Sequence, residues 1–278
     1  MTWQHNEKLA NPNNDLGFYL HPRVSNSDGN PAGTVTNECV DLPLETVGII
    51  SDISNGAQGY NRETSDLEFD GTTMYSPGTN DYILFPAKQR TENKLPFDKP
   101  NCTIEFWVSD YGAPAQQYEM IMASDYQSGT GTDGLKKWAV GWDFGVMLNR
   151  WKLAWFCDNG ARWVFDLGAL GLEQWVNADK MCQIVIAKDS STTGKIYVNG
   201  VLRFNGSLSW RAGTHTNDAN LYLFGQWNGI TSQLTRDWQG RIGVVRAWET
   251  DPGEAAHLHN FNMTKKLYMN YRNGVLGE

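Results

Sequence analysis

Apolar and polar positions alternate through much of the chain. Between residues 137 and 148, Trp138, Val140, Trp142, Phe144, Val146 and Leu148 fall on one face, and Ala139, Gly141, Asp143 and Gly145 on the other. A repeat of two places successive side chains on opposite faces of a strand, so this run predicts a half-buried strand. Residues 151–157 and 161–166 predict a hairpin closed by Asp158-Asn159-Gly160. Gly194-Lys195-Ile196-Tyr197-Val198-Asn199-Gly200-Val201-Leu202 predicts another. Its Asn-Gly pair supplies the two positive-φ residues of a type I′ turn. Leu67-Glu68-Phe69-Asp70-Gly71 reads as a strand broken at glycine, and Asn80-Asp81-Tyr82-Ile83-Leu84-Phe85-Pro86 as the next strand. Residues 183–188, 221–225 and 241–248 add further strands, and the whole predicts an all-β protein.

One helix interrupts the pattern. Asp251-Pro252-Gly253-Glu254 reads as N-cap, proline at the first helical position and glutamate at the third, the arrangement of a capping box. Ala255, Ala256, Leu258, His259 and Phe261 continue it. The tail that follows, residues 263–278, carries Leu267, Tyr268, Tyr271, Val275 and Leu276 and is expected to pack on the N-terminal segment. Residues 1–60 differ from the rest. They are rich in Asn, Pro, Ser and Gly, with short strand-like pieces at 17–20 and 47–53. A structureless stretch of that length is unusual in a compact domain. It is expected to be an arm that docks on its own domain or orders against a partner. The organisation expected is therefore an arm (1–60), a β domain (61–262) and a tail (263–278).

Composition narrows the function classes. Of the 278 residues, 19% are charged, so the polarity comes from Asn, Asp, Thr, Ser and Gly, the usage of strands and turns rather than helices. The net charge of −8 argues against nucleic acid and anionic membranes, which require a basic face. The first eight residues hold no apolar core of a signal peptide, and no apolar run approaches a membrane span. The four cysteines, Cys39, Cys102, Cys157 and Cys182, form no CxxC pair, and the last three sit in strand patterns as small buried hydrophobes. A chain made in a reducing cytosol is expected.

Several motifs in order carry a family resemblance. Phe69-Asp70-Gly71, Asn80-Asp81-Tyr82-Ile83, Thr103-Ile104-Glu105-Phe106-Trp107-Val108, Ile196-Tyr197-Val198-Asn199-Gly200, Leu223-Phe224-Gly225 and the run from Gly240 to Trp248 resemble the laminin-G-like branch of the concanavalin A-like jelly rolls. The resemblance spans about residues 61–262 and implies a two-sheet antiparallel jelly-roll sandwich. That fold hosts lectins, glycosidases, adhesion modules and viral surface proteins, so it leaves function to be argued from the site.

The candidate chemistry divides three ways. Glu249-Thr250-Asp251-Pro252-Gly253-Glu254 resembles the Glu-x-Asp-x-x-Glu pattern of jelly-roll glucanases, in which two carboxylates stand about 5 Å apart across a cleft. Pro252 and Gly253 break such a strand, and the helix cap explains the same residues, so no catalytic residue is assigned. No Gly-x-Ser-x-Gly is present, and His257 and His259 diverge on a helix, which makes them a poor zinc site. No cofactor is required, with calcium the one metal whose hard oxygen ligands are on offer: Asp70, Asn80 and Asp81, with Asp143 and Asp158 as further contributors. The family resemblance implies an acidic residue where this chain has Gly243, which speaks against a carried-over calcium site. Aromatic residues are the third signal. Trp faces stack on the apolar faces of sugar rings while Asn and Asp bond the hydroxyls, which nominates Trp227, Asn228, Asp143, Trp151 and Trp163 for glycan binding. The competing reading puts Trp138 and Trp142 in the core beside Val140 and Phe144.

These signals predict a non-enzymatic structural or adhesion protein of a bacteriophage particle (capsid decoration, head fibre or tail component). Its jelly roll would bind glycans, its arm would join other virion proteins, and it would form a homo-oligomer that gains avidity from multiple copies. A free lectin-like module and a jelly-roll glycoside hydrolase are the alternatives.

Overall fold

The structure, a computed structural model, describes residues 9–10, 12–13, 15–20, 34–36, 47–52, 68–69, 73–76, 81–85, 96, 101–110, 118–124, 139–143, 152–156, 162–170, 180–188, 193–207, 221–228, 233–235, 238–269 and 274–275. Two antiparallel sheets enclose the main core. The back sheet holds β1 (Leu16–Leu20), β4 (Glu68–Phe69), β5 (Met74–Ser76), β7 (Cys102–Asp110), β12 (Cys182–Lys188), β13 (Thr193–Val198), β14 (Val201–Ser207) and β18 (Gly240–Trp248). Its order is β14-β13-β12-β7-β18-β5-β4, and β1 also pairs with β18. The front sheet holds β2 (Thr34–Thr36), β3 (Val47–Asp52), β6 (Asp81–Phe85), β8 (Tyr118–Ser124), β9 (Ala139–Asp143), β10 (Lys152–Phe156), β11 (Arg162–Asp166) and β15 (Leu221–Leu223). Its order is β11-β10-β9-β8-β15-β6-β3-β2. A small hairpin, β16 (Gln226–Asn228) with β17 (Gln233–Thr235), stands apart. Two helices complete the described chain, α1 (Leu167–Leu170) and α2 (Glu254–Tyr268).

The period of two explains the core. On β7, Ile104, Phe106 and Val108 meet Ile184 and Ile186 of β12, Ile196 of β13 and, from the front sheet, Ile83, Met122, Val140 and Leu223 in one buried cluster. The intervening β7 residues, Thr103, Glu105, Trp107 and Ser109, are also fully buried. They look away from that core, and α2 covers that face: Trp107 stacks on Phe261 with ring centroids 5.6 Å apart and lies 5.0 Å from Tyr268. Beneath the helix the Arg246 guanidinium donates to Glu105 Oε1 (2.6 Å) and to Thr264 Oγ1 (2.7 Å), and Trp107 Nε1 donates to the same Glu105 oxygen (2.9 Å). Gly243 is where the Tyr268 ring sits. A Cβ there would lie 2.2 Å from the Tyr268 hydroxyl oxygen, which accepts from Val244 N–H at 2.8 Å.

The expected hairpins form. Asn199 and Gly200 turn at φ 50° and 78°, and β10 pairs with β11 from Lys152–Asp166 to Phe156–Arg162. The N-terminal sixty residues contribute one strand to the back sheet, β1, and two to the front sheet, β2 and β3. β1 lies along the second half of β18, beyond the stretch that β5 occupies, and β3 lies along β6 with β2 outside it. Asp15 Oδ2 accepts from Thr250 N–H at 2.9 Å, and Asn260 and Ala10 exchange two hydrogen bonds (2.8 and 3.2 Å). These contacts hold the described N-terminal residues against β18, β6 and α2.

The helix start differs from the expected capping box. Gly253, at φ 90°, holds the N-cap position with no side-chain cap, and Glu254 begins the helix. Asp251 is drawn away by stronger partners, and Glu254 Oε1 accepts from Leu202 N–H of β14 (3.2 Å) instead of reaching back. The helix also runs on through the first part of the expected tail. Tyr268 and Val275 share a buried cluster with Tyr19, so this part of the tail packs with the N-terminal strand as expected.

Candidate functional site

Strand register brings a set of polar residues to one end of the front sheet. Asp81 opens β6 and pairs with Asp52, the last residue of β3. Leu223 of β15 pairs with Ile83 on one side and Met122 on the other, so the chain leaving β15 emerges at the same end as Asp81 and Tyr118. Tyr118 pairs with Asp143, Asp143 with Lys152, and Lys152 with Asp166. From β3 to β11 this end therefore presents Asp52, Asp81, the start of β16, Asp143, Lys152 and Asp166. β16 runs beside β8, which puts Trp227 and Asn228 next to the rim formed by Tyr118 and Asp143.

Four of the residues nominated from sequence thus share one rim: Asp81, Asp143, Trp227 and Asn228. Trp163 does not join them. It pairs with Trp155, three residues in from the rim. Asp70, Asn80, Trp151 and Asp158 lie outside the described residues, as do the side chains of the four rim residues. Sequence reasoning missed Asp52, Lys152 and Asp166. Their signal was present, since each is a polar residue at the end of an alternating run, but only the sheet order shows that the runs end together.

By residue type the rim positions hold four aspartates and one lysine. Carboxylates at strand ends accept hydrogen bonds from sugar hydroxyls, and an adjacent indole supplies an apolar platform. The same oxygens are hard ligands of the kind calcium takes. Among the described residues no group of three or more His, Cys, Asp or Glu side chains converges as a metal site.

The carboxylates of the glucanase-like pattern lie elsewhere. Glu249 follows the end of β18, Asp251 sits in the connection, and Glu254 is on α2. Asp251 is nearly enclosed. Its Oδ1 accepts from His257 Nε2 (2.8 Å) and Gly253 N–H (2.9 Å), and its Oδ2 accepts from Lys195 Nζ and the Tyr197 hydroxyl (both 2.9 Å). Burial pushes its pKa up, but the bonds from His257, Lys195 and Gly253 more than offset this, holding the carboxyl well below the usual range. His257 is itself buried against Tyr197, with ring centroids 4.5 Å apart. These groups fasten α2 to the β13–β14 hairpin. Cys102 and Cys182 are free thiols, and burial raises the pKa of Cys182 far above the ordinary thiol value.

The family model described as the concanavalin A-like lectin/glucanases superfamily matches residues 77–254. The chain belongs to that superfamily. No curated protein matches it at a significant level. Among solved structures it is similar to Trypanosoma rangeli sialidase, at 12% identity and a TM-score of 0.58, covering 92% of this chain and 34% of that one. It is also similar to the receptor binding domain of botulinum neurotoxin type G, at 13% identity and a TM-score of 0.53, covering 90% of this chain and 52% of the other. The chain spans about a third of the sialidase and about half of the neurotoxin chain. At such identities the likeness speaks for the fold. Within this concanavalin A-like jelly roll, β1 and all of α2 beyond its first residue lie outside the matched segment. They are the elements that clasp the back sheet, whereas the whole described rim except Asp52 lies inside it.

Proposed function

We propose that this concanavalin A-like jelly roll is a non-enzymatic adhesion module that binds glycans at the rim made by Asp81, Asp143, Trp227 and Asn228. The observation that carries the reading is the convergence of these four positions, from three separate strands, on one end of the front sheet. The two carboxylates and the amide suit sugar hydroxyls, and the indole suits a sugar ring. Two further facts support the class of ligand: one neighbour of the same fold was solved in complex with sialic acid, and the other is a receptor binding domain. The non-enzymatic half of the proposal rests on Asp251 and Glu254, whose acceptor oxygens hold buried or backbone donors rather than facing each other across a groove.

The setting we attach to this module is the outside of a bacteriophage particle, as the sequence suggests. Its support is the acidic, polar composition and the resemblance to surface modules. In that setting residues 1–60 would contact other virion proteins, while β1, β2 and β3 stay paired in the sheets. Proteomic analysis of purified particles tests the setting: this chain is expected among the structural proteins, and its absence there would favour a free lectin-like module. The binding itself is tested on a printed array of sialylated, galactosylated and glucosylated oligosaccharides. The wild-type protein is expected to retain a subset, and Trp227→Ala to lose at least about tenfold of that binding, the loss of about 1.4 kcal/mol of stacking. Equal binding by the variant would remove Trp227 from the site.

A further inference from the structure

Phe224 holds a backbone conformation that its side chain disfavours. Its φ is 71°, in the left-handed region that a bulky residue rarely enters. Such a state is strained and persists only where the surroundings impose it. Here they do. Phe224 is completely buried, its N–H donates to Ile121 O of β8 (3.0 Å), and its carbonyl accepts from Trp238 N–H (3.1 Å). The two rings stack, with centroids 5.9 Å apart and planes 17° apart. Trp238 is seated as tightly: a Cβ on Gly240 would lie 2.2 Å from its indole.

The place of this pair in the fold gives it a role. β15 ends at Leu223 in the front sheet, and β18 begins at Gly240 in the back sheet. Between them the chain makes the excursion that carries β16 and β17. Phe224 is the first residue of that excursion after the front sheet, and Trp238 closes it before the back sheet. Phe224 sits where β15 hands over to β16, which stays beside β8. The left-handed turn redirects the chain into the hairpin.

From this we infer that Phe224 and Trp238 form a clasp that positions the Trp227–Asn228 hairpin at the rim, making them positioning residues for the ligand site. The inference rests on the proposed glycan-binding rim for its purpose, but the clasp itself is read without any ligand. A strained, closed neck fixes where the hairpin points and limits its opening, so the site is ordered before a sugar arrives.

Hydrogen–deuterium exchange on the full chain tests this, with wild type, Trp238→Phe, Trp238→Leu and Gly240→Ala compared. Trp238→Phe keeps a ring to stack and is expected to exchange as wild type. Trp238→Leu is expected to raise exchange at residues 226–235 about tenfold, the change that matches an aromatic pair of about 1.4 kcal/mol, while β7 and β12 keep their protection. Gly240→Ala displaces the indole without deleting it and is expected to do the same, which keeps the test open if Trp238→Leu does not fold. Unchanged exchange at 226–235, or a loss spread evenly over β7 and β12, would overturn the clasp. The same proteins on the oligosaccharide array read the coupling: retained sugars are expected to bind Trp238→Phe normally and Trp238→Leu about tenfold more weakly. Loosened exchange with unaltered sugar binding would overturn the positioning role. A wild type that retains no sugar would sink the glycan reading and leave the exchange result to decide the clasp.

Discussion

Replacing Asp251 separates a structural carboxylate from a catalytic one. The side chain is 8% exposed and accepts four hydrogen bonds, from Gly253, His257, Lys195 and Tyr197. A hydrogen bond to a charged group contributes about 1.5–3 kcal/mol, and a donor left unpartnered in the interior costs about 1–3. Lys195 is 27% exposed and regains water, so its share is reduced to that of a surface pair, about 0.5 kcal/mol. Asp251→Ala strands the buried His257 ring and the Tyr197 hydroxyl, and is expected to cost about 4 kcal/mol. Asp251→Asn keeps one oxygen for His257 and Gly253 and is expected to cost about 2 kcal/mol. Urea unfolding at pH 7 measures both, as a lower midpoint with an unchanged slope. The pH dependence supplies an internal check. The folded carboxyl titrates below its unfolded value, so its stabilisation is complete above about pH 4 and is lost as pH falls through the folded pKa. Wild type should therefore lose stability between pH 4 and 2 more steeply than Asp251→Asn. A loss under about 1 kcal/mol for Asp251→Ala, or parallel acid limbs for the two proteins, would refute this role.

Three further outcomes follow from the back sheet. Gly243→Ala pushes the Tyr268 ring off its seat and is expected to cost about 2–3 kcal/mol in thermal unfolding. In a Tyr268→Ala background the added methyl should cost almost nothing. Arg246→Met leaves the buried Glu105 carboxyl without its ion-pair partner and should cost about 3–5 kcal/mol, part of which Glu105→Gln restores in the double variant. Burial lowers the pKa of Lys188 from 10.5 to about 8, against a smaller opposing pull from Cys102. Between those values the unfolded chain binds a proton that the folded chain does not, so stability should rise from pH 8 to 10.5 and be level below 8. Lys188→Met should remove that slope.

Elements whose signal is local were legible in the sequence. The Asn199-Gly200 turn, the β10–β11 hairpin and the alternating run that contains β9 each announce themselves within a dozen residues. Elements defined by a distant partner were not. β1 and β3 are short runs whose pairing strands, β18 and β6, lie elsewhere in the chain. β5 and β16 have three residues each, too few for a period to show. The second half of α2 was hidden because its buried face is partly polar: Asn260 bonds Ala10, and Thr264 bonds Arg246. Thr103 and Glu105 look like solvent-facing residues in an alternating strand, yet α2 buries them. The rim was half legible. Residue chemistry nominated Asp81, Asp143, Trp227 and Asn228, but their meeting at one end depends on the order β6-β15-β8-β9, which no local pattern encodes.

The most direct measurement is backbone amide NMR of the ¹⁵N-labelled protein, titrated with the oligosaccharide that binds most strongly on the array. Shifts are expected at Asp81, Tyr118, Asp143 and 226–228, with unperturbed amides at Asp251 and His257 and an intact sugar recovered afterwards. Shifts centred on the Asp251–His257 connection, or recovery of a hydrolysed sugar, would contradict the proposed non-enzymatic glycan-binding rim.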